Sequence, residues 1–449
     1  MNEADTTTDP QPDIAFTLGG FGGSAAGRSA ATPPVAAAEV EVTVSTEGPV
    51  PVPPVPDAEV TVTVEESDPA APIDIDRYAT GLGRAIADTL LPAAPVDWQR
   101  LDVAFSVTVR AIAAVAYFTD DVGEVTPVPV PREAGELAQL LREVTVPLAG
   151  HAWWRVLLHC VRTDSEGPAA QEDSSIELEY DYGAVPFTGD ELHPPEAYRA
   201  DLAAFPRARL PIWLAAYIDH ADRQSRPPRR AIVRSRTDRS RGITPEPAGL
   251  PAPDLIWARW TTISAAAVAI GSDAGPRVLG SSGVFEASNG SGSTLHLLTA
   301  RRAVLSGGVW DAPELDAAYN DGADLPDLYA GAPEWLANPV LDQRVTTGLL
   351  TFCYWWEGGG WFRGRSPEPA AIGAAIPGLW TPATTVDVVC AVLGPQADRE
   401  AVVELVAAAE TRTVTTDMVL TALDVTAEAD VVGAMYQFAL AGLTNELAE

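Results

Sequence analysis

The sequence predicts an α+β fold of two domains, each an antiparallel sheet with helices packed against it, behind a disordered amino-terminal tail. Three observations predict it. Strand-like segments follow one another along the chain, which suits antiparallel pairing, and segments of helical spacing flank them. Composition shifts at residue 72 and again across 223–250. With 449 residues and 47% hydrophobic content, the chain can bury more than one core. The expected organisation is a tail over 1–72, a first domain over 73–222, an Arg-rich linker over 223–250 and a second domain over 251–449.

The tail carries 12 Asp or Glu against one Arg, Arg28, and few large apolar residues. It lacks the apolar area needed to offset the entropy of ordering. Ala38–Val44 (AEVEVTV) recurs as Ala58–Val64 (AEVTVTV). The pair reads either as a duplicated low-complexity linker or as two strands able to join a partner's sheet edge.

In the first domain, Ile75, Tyr78, Leu82, Ile86 and Leu90 recur at helical spacing, and Pro92 stops the helix. The stretch 98–118 alternates in part and reads as a strand, with Val103, Phe105, Val107 and Val109 on one face. Residues 131–144 read as a helix that Pro131 opens. Strands follow at 153–161 and 176–182, then helices at 194–205 and 212–220.

Residues 223–241 hold eight of the 29 basic residues, all Arg; without aromatics to stack bases they read less as a nucleic-acid site than as a solvated basic hinge that lies against the acidic domains. In the second domain 255–270 is apolar. Strands are expected at 284–288 and 294–300 around the hairpin loop Asn289–Ser293, then at 346–356, at 361–363 and at 385–393. Helices are expected at 399–409, 416–423 and 429–443.

Net charge is −33. Such a surface repels phosphate backbones and anionic membranes and attracts basic proteins, so neither nucleic acid nor membrane is an expected partner. The three cysteines, Cys160, Cys353 and Cys390, have no paired spacing and read as buried thiols. The first nine residues have no secretory pattern, and 263–270 is too short to span a bilayer, so a cytoplasmic location is expected.

Motifs for catalysis, metal or cofactor binding do not emerge, and no enzyme activity, metal or cofactor is expected. The five histidines lack zinc-binding spacing. The acidic stretch 316–327 has Ala318 where a calcium loop needs an oxygen ligand. Glu177 and Glu179 fall on one face of a strand, opposite Ile176, Leu178 and Tyr180, and read as a water-facing side.

One segment has the character of a protein contact: Tyr354, Trp355, Trp356, Glu357, Gly358, Gly359, Gly360, Trp361 and Arg363, with Phe362 between the last two. If the glycines turn a hairpin, aromatic side chains fall on both its faces, more than one small domain is expected to bury. Trp, Tyr and Arg are the usual anchors of interfaces. The competing reading is core packing around a plain glycine turn.

The strand Ser175–Tyr182 (SIELEYDY), then Pro186-Phe187, the helix and corner Glu196–Arg207 (EAYRADLAAFPR), and Pro211-Ile-Trp213 resemble the YezG-type bacterial immunity proteins. The resemblance covers roughly 73–218. It implies a non-enzymatic antitoxin that blocks a cognate toxin, with a basic toxin domain as the expected partner. The alternative is an interaction or adaptor protein, for example in secretion, that uses the tail and the Trp-Gly loop.

Overall fold

A computed structural model describes residues 74–162, 174–424 and 429–445. The expected tail and its repeat lie outside these residues. The fold is mixed α+β with two antiparallel sheets, and the described residues from Ile75 onward cluster as one compact unit.

The first half opens with α1 (Ile75–Leu90), which buries Ala79, Leu82, Ile86 and Leu90 on one stripe. Then come β1 (Trp98–Val107), β2 (Ile112–Asp120), β3 (Val125–Val128), α2 (Arg132–Ala149), β4 (Arg155–Val161) and β5 (Ser175–Asp181). The strands order as β3-β2-β1-β4-β5. The stretch expected as one strand is the β1–β2 hairpin. Val103, Phe105 and Val107 are buried, but Val109 sits in the turn and is exposed. The alternate positions of β1, β2 and β4 meet α1 and α2 in one core with Leu141 and Trp153. Helices α3 (Pro195–Ala204) and α4 (Ile212–Asp219) complete this half, where Tyr198 and Trp213 pack on Trp154 and Phe187.

The Arg-rich stretch is not a hinge. It forms α5 (Pro228–Ser240) and β6 (Glu246–Ala248), and β6 pairs into the second sheet. Arg226 is 2% exposed, and its Nε donates to the Leu336 carbonyl at 2.7 Å. Gln224 Nε2 donates to the Leu350 carbonyl at 2.7 Å and its Oε1 accepts from Leu350 N at 2.9 Å. Packing against distant residues fixes this stretch: besides those bonds, Asp238 of α5 accepts from Gly331 N at 3.0 Å, while most of the arginines stay exposed.

The second half continues with α6 (Pro253–Ala269), β7 (Arg277–Leu279), β8 (Ser282–Glu286), β9 (Gly292–Leu298), β10 (Arg302–Gly308), α7 (Pro313–Asn320), α8 (Arg344–Thr347), β11 (Phe352–Glu357) and β12 (Gly360–Arg363). The sheet orders as β6-β12-β11-β10-β9-β8-β7. Four helices follow: α9 (Pro382–Leu393), α10 (Arg399–Thr411), α11 (Thr416–Leu423) and α12 (Val431–Ala441). The apolar stretch 255–270 is α6, buried almost all round, as a helix without a polar face must be. The segment expected as a strand at 385–393 is α9. Its Val and Thr content favours a strand locally, but Thr381 caps it with a reciprocal pair of hydrogen bonds to Thr384, and Pro382 opens it. The strand expected over 346–356 starts only at Phe352, after α8 and a left-handed Gly348.

This sheet is covered on both faces. One face meets α6, α9, α10 and α12 in the largest core. The other lies under Leu328, Ala332, Leu336, Leu341 and Leu350 of the long connection between β10 and β11.

Candidate functional site

The aromatic segment forms the β11–β12 hairpin, turning at Gly358 and Gly359, both in the left-handed region with φ of 62° and 90°. Its two faces are both interior. Tyr354 and Trp361 join the helix-side core, Trp356 packs against that core, and Trp355 joins the opposite one. Tyr354 is 0% exposed and its hydroxyl donates to the Pro367 carbonyl at 2.6 Å. Trp361 Nε1 donates to the Pro251 carbonyl at 2.6 Å. Arg363 is buried and pairs with Glu246 and Glu368. Glu357 accepts from Trp335 Nε1 and Arg302 at 3.0 and 3.1 Å. The segment is core packing around a glycine turn. The expectation that both aromatic faces exceed what one domain can bury fails because a second layer covers the sheet.

A groove of about 380 Å³ lies beside this hairpin, and Trp355 and Glu357 line it with Asp238, Ile243, Pro333 and Phe362. Its one buried carboxylate is committed: Asp238 accepts from Arg234 Nε at 2.9 Å and from Gly331 N at 3.0 Å. The groove therefore mixes apolar walls with Ser235, Arg239, Thr244 and Glu357. Three carboxylates of the acidic stretch 316–327 are likewise engaged. Arg209 holds Asp316 and Asp321, Arg234 holds Asp327, and the Asn320 amide and Arg209 keep the Asp316 carboxyl below its usual range. Among the described residues no group of side chains could hold a metal ion.

Of the residues that carry the immunity-protein resemblance, Asp201, Arg207 and Trp213 turn inward, while Glu177 and Glu179 stay exposed. Asp201 of α3 accepts both Arg142 nitrogens at 2.8 and 2.7 Å, Trp154 Nε1 at 2.9 Å and Val109 N at 2.9 Å. Arg207 stacks on Trp154, 3.4 Å from the ring centroid, and donates to the Ala152 carbonyl. Burial, then the neighbouring Arg142, push Arg207 down to about 10. Trp213 Nε1 donates to the Gly183 carbonyl at 2.7 Å. The motif string thus locks α3 and α4 against the first sheet, a constructional role.

What remains outward in that half is the second face of its sheet. α1 and α2 cover one side, and the opposite positions carry Asp102 and Ala104 of β1, Val115 and Tyr117 of β2, Leu157 and His159 of β4, and Glu177 and Glu179 of β5. Register puts Tyr117, Asp102, His159 and Glu177 in one row across four strands, and Val115, Ala104, Leu157 and Glu179 in the next. Tyr117 and Val115 are 40% and 37% exposed, and Glu177 and Glu179 are exposed. Arg100 pairs with Asp102, and Arg155 with Asp181 and Glu191. Among the described residues Glu177 and Glu179 make no ion pair. The water-facing side expected for these two carboxylates is therefore the acidic margin of an apolar strip. Strand alternation located the carboxylates, but only the register reveals the strip beside them.

Among the described residues two serine–histidine contacts occur. Inside the fold His193 Nε2 meets both the hydroxyl and the carbonyl of Ser106, and Ser106 Oγ donates to the Glu191 carbonyl. Ser282 Oγ lies 2.8 Å from His296 Nδ1, its cross-strand neighbour, and burial lowers the His296 pKa while Asp342 opposes it. Asp342 itself is bonded to Thr294 and Arg344, so this pair lacks an orienting carboxylate of its own. No helix among the described residues is long and apolar enough to cross a membrane. No protein-family model matches the chain, and no curated protein matches it significantly.

Proposed function

We propose that the chain is a non-enzymatic binding protein of the cytoplasm that covers the surface of a basic protein, as an immunity protein occludes a bacterial toxin. The observation that carries this reading is the outward face of the five-stranded sheet. An apolar strip of Val115, Tyr117 and Leu157 gives area to bury, and Glu177 and Glu179 beside it, with no ion pair among the described residues, select a positive partner. The net charge of −33 speeds encounter with such a partner. The adaptor alternative keeps the tail, but burial of Tyr354, Trp355 and Trp361 removes the aromatic loop from it.

The test is growth of cells that express toxin domains from the same genome. Wild-type chain rescues growth against a cognate basic toxin, and Glu177→Arg with Glu179→Arg abolishes rescue while the circular dichroism is unchanged. Failure to rescue against any such toxin, or rescue that survives both charge reversals and Tyr117→Asp, overturns the reading.

A further inference from the structure

The final helix, α12, is fastened on its inner side and bare on its outer side. Inward, Ala434, Gln437 and Phe438 are buried, and Gln437 Oε1 accepts from Val278 N of β7 at 2.8 Å. Trp257 Nε1 of α6 donates to the Ala441 carbonyl at 3.0 Å. Asp430 caps the start, and Val414 exchanges backbone hydrogen bonds with Leu443 and Asn445 just past the end. The helix is held at both ends, so its outer face is not a fraying terminus.

That outer face shows Val432, Tyr436 and Leu440 at steps of four, one stripe along the helix. Val432 is 82% exposed and Tyr436 60%. Ile270 adjoins the start of the stripe, because Asp430 N donates to the Ala269 carbonyl, and it too is exposed. A fixed surface of contiguous bare apolar groups marks an interface.

Charge selects the occupant. In a chain of net charge −33, two copies repel one another over most of their surface. From Val431 to Asn445 there is no charged side chain. A two-fold contact sets a patch against itself, so an uncharged, apolar stripe is what two acidic copies can share. A basic partner finds no carboxylate on it.

We propose that α12 pairs antiparallel with α12 of a second copy, with Tyr436 at the two-fold axis and Val432 of each copy against Leu440 of the other. Area lost from water, not charge, drives the pairing, so added salt does not weaken it.

Analytical ultracentrifugation of the full chain over a concentration series tests this. Wild type is expected to sediment as a reversible dimer at low and high salt. Tyr436→Glu, which places a carboxylate near its twin at the axis, and Val432→Glu, which sets a carboxylate against Leu440 of the other copy, are expected to give monomers with unchanged circular dichroism and melting temperature. A wild-type monomer at every concentration, or a dimer that survives both substitutions, overturns the proposal. The readout is oligomeric state alone, so its failure is distinct from loss of toxin rescue at the sheet face.

Discussion

Arg142 and Asp201 form a two-pronged ion pair, at 2.8 and 2.7 Å, with both side chains sealed from water at 3% and 2% exposure. Asp201 also accepts Trp154 Nε1 and Val109 N, while Arg142 Nε donates to the Trp153 carbonyl at 2.5 Å. Both carboxylate oxygens accept two bonds each, and each guanidinium nitrogen donates one. That satisfaction makes a buried pair tolerable, and makes removal of one member costly.

Asp201→Ala is therefore expected to lower stability by about 3–5 kcal/mol, because it strands the Arg142 charge. Arg142→Met combined with Asp201→Leu is expected to cost less than the sum of the single changes. Urea unfolding of the two single variants and the double variant measures this coupling.

Trp355 separates a core role from a contact role. Trp355→Ala is expected to destabilise the chain by about 3–5 kcal/mol, the range for emptying a buried aromatic site. Gly358→Ala, in open space but at φ of 62°, is expected to cost only about 1 kcal/mol. Equal stability of both variants in a urea titration would contradict the burial of the hairpin.

The Trp260 ring lies on Gly283. A Cβ at Gly283 would sit 2.7 Å from Trp260 Nε1, and that nitrogen has no hydrogen-bond partner among the described residues. Gly283→Ala is expected to cost about 1–3 kcal/mol through overpacking. Trp260→Phe in the same chain is expected to recover part of that loss, read as a shift in thermal midpoint.

Burial holds the folded pKa of His296 below its ordinary 6.5, with Asp342 opposing the shift. Below pH 6.5 the unfolded chain binds a proton that the folded chain resists, so stability contributed by neutral His296 is present above that pH. It declines as pH falls from 6.5 through the folded value. His296→Gln is expected to flatten this part of the stability profile, measured by urea midpoints at successive pH values. An unchanged acid slope would refute the assignment.

The sequence by itself determined the elements whose cause is local. Ile75 to Leu90 at helical spacing, the alternation of Glu177 and Glu179 with Ile176 and Leu178, and the glycine turn at 358–360 all read correctly, since periodicity and backbone freedom act within a few residues. Local propensity misled where packing decides. The Val- and Thr-rich α9 is a helix because its cap and its place among helices outweigh a weak strand preference. The Arg-rich stretch is an ordered helix and edge strand because Arg226 and Asp238 find partners far along the chain.

The site divided along the same line. Residue type made Tyr354, Trp355 and Trp361 look like anchors, yet whether an aromatic anchors a partner or a core depends on what lies over it. That is a long-range property, and here the β10–β11 connection supplies the cover on one side and the helices on the other. The strip beside Glu177 and Glu179 escaped the sequence for the same reason: Val115, Ala104 and Leu157 come from three strands, and only the sheet register sets them in a row.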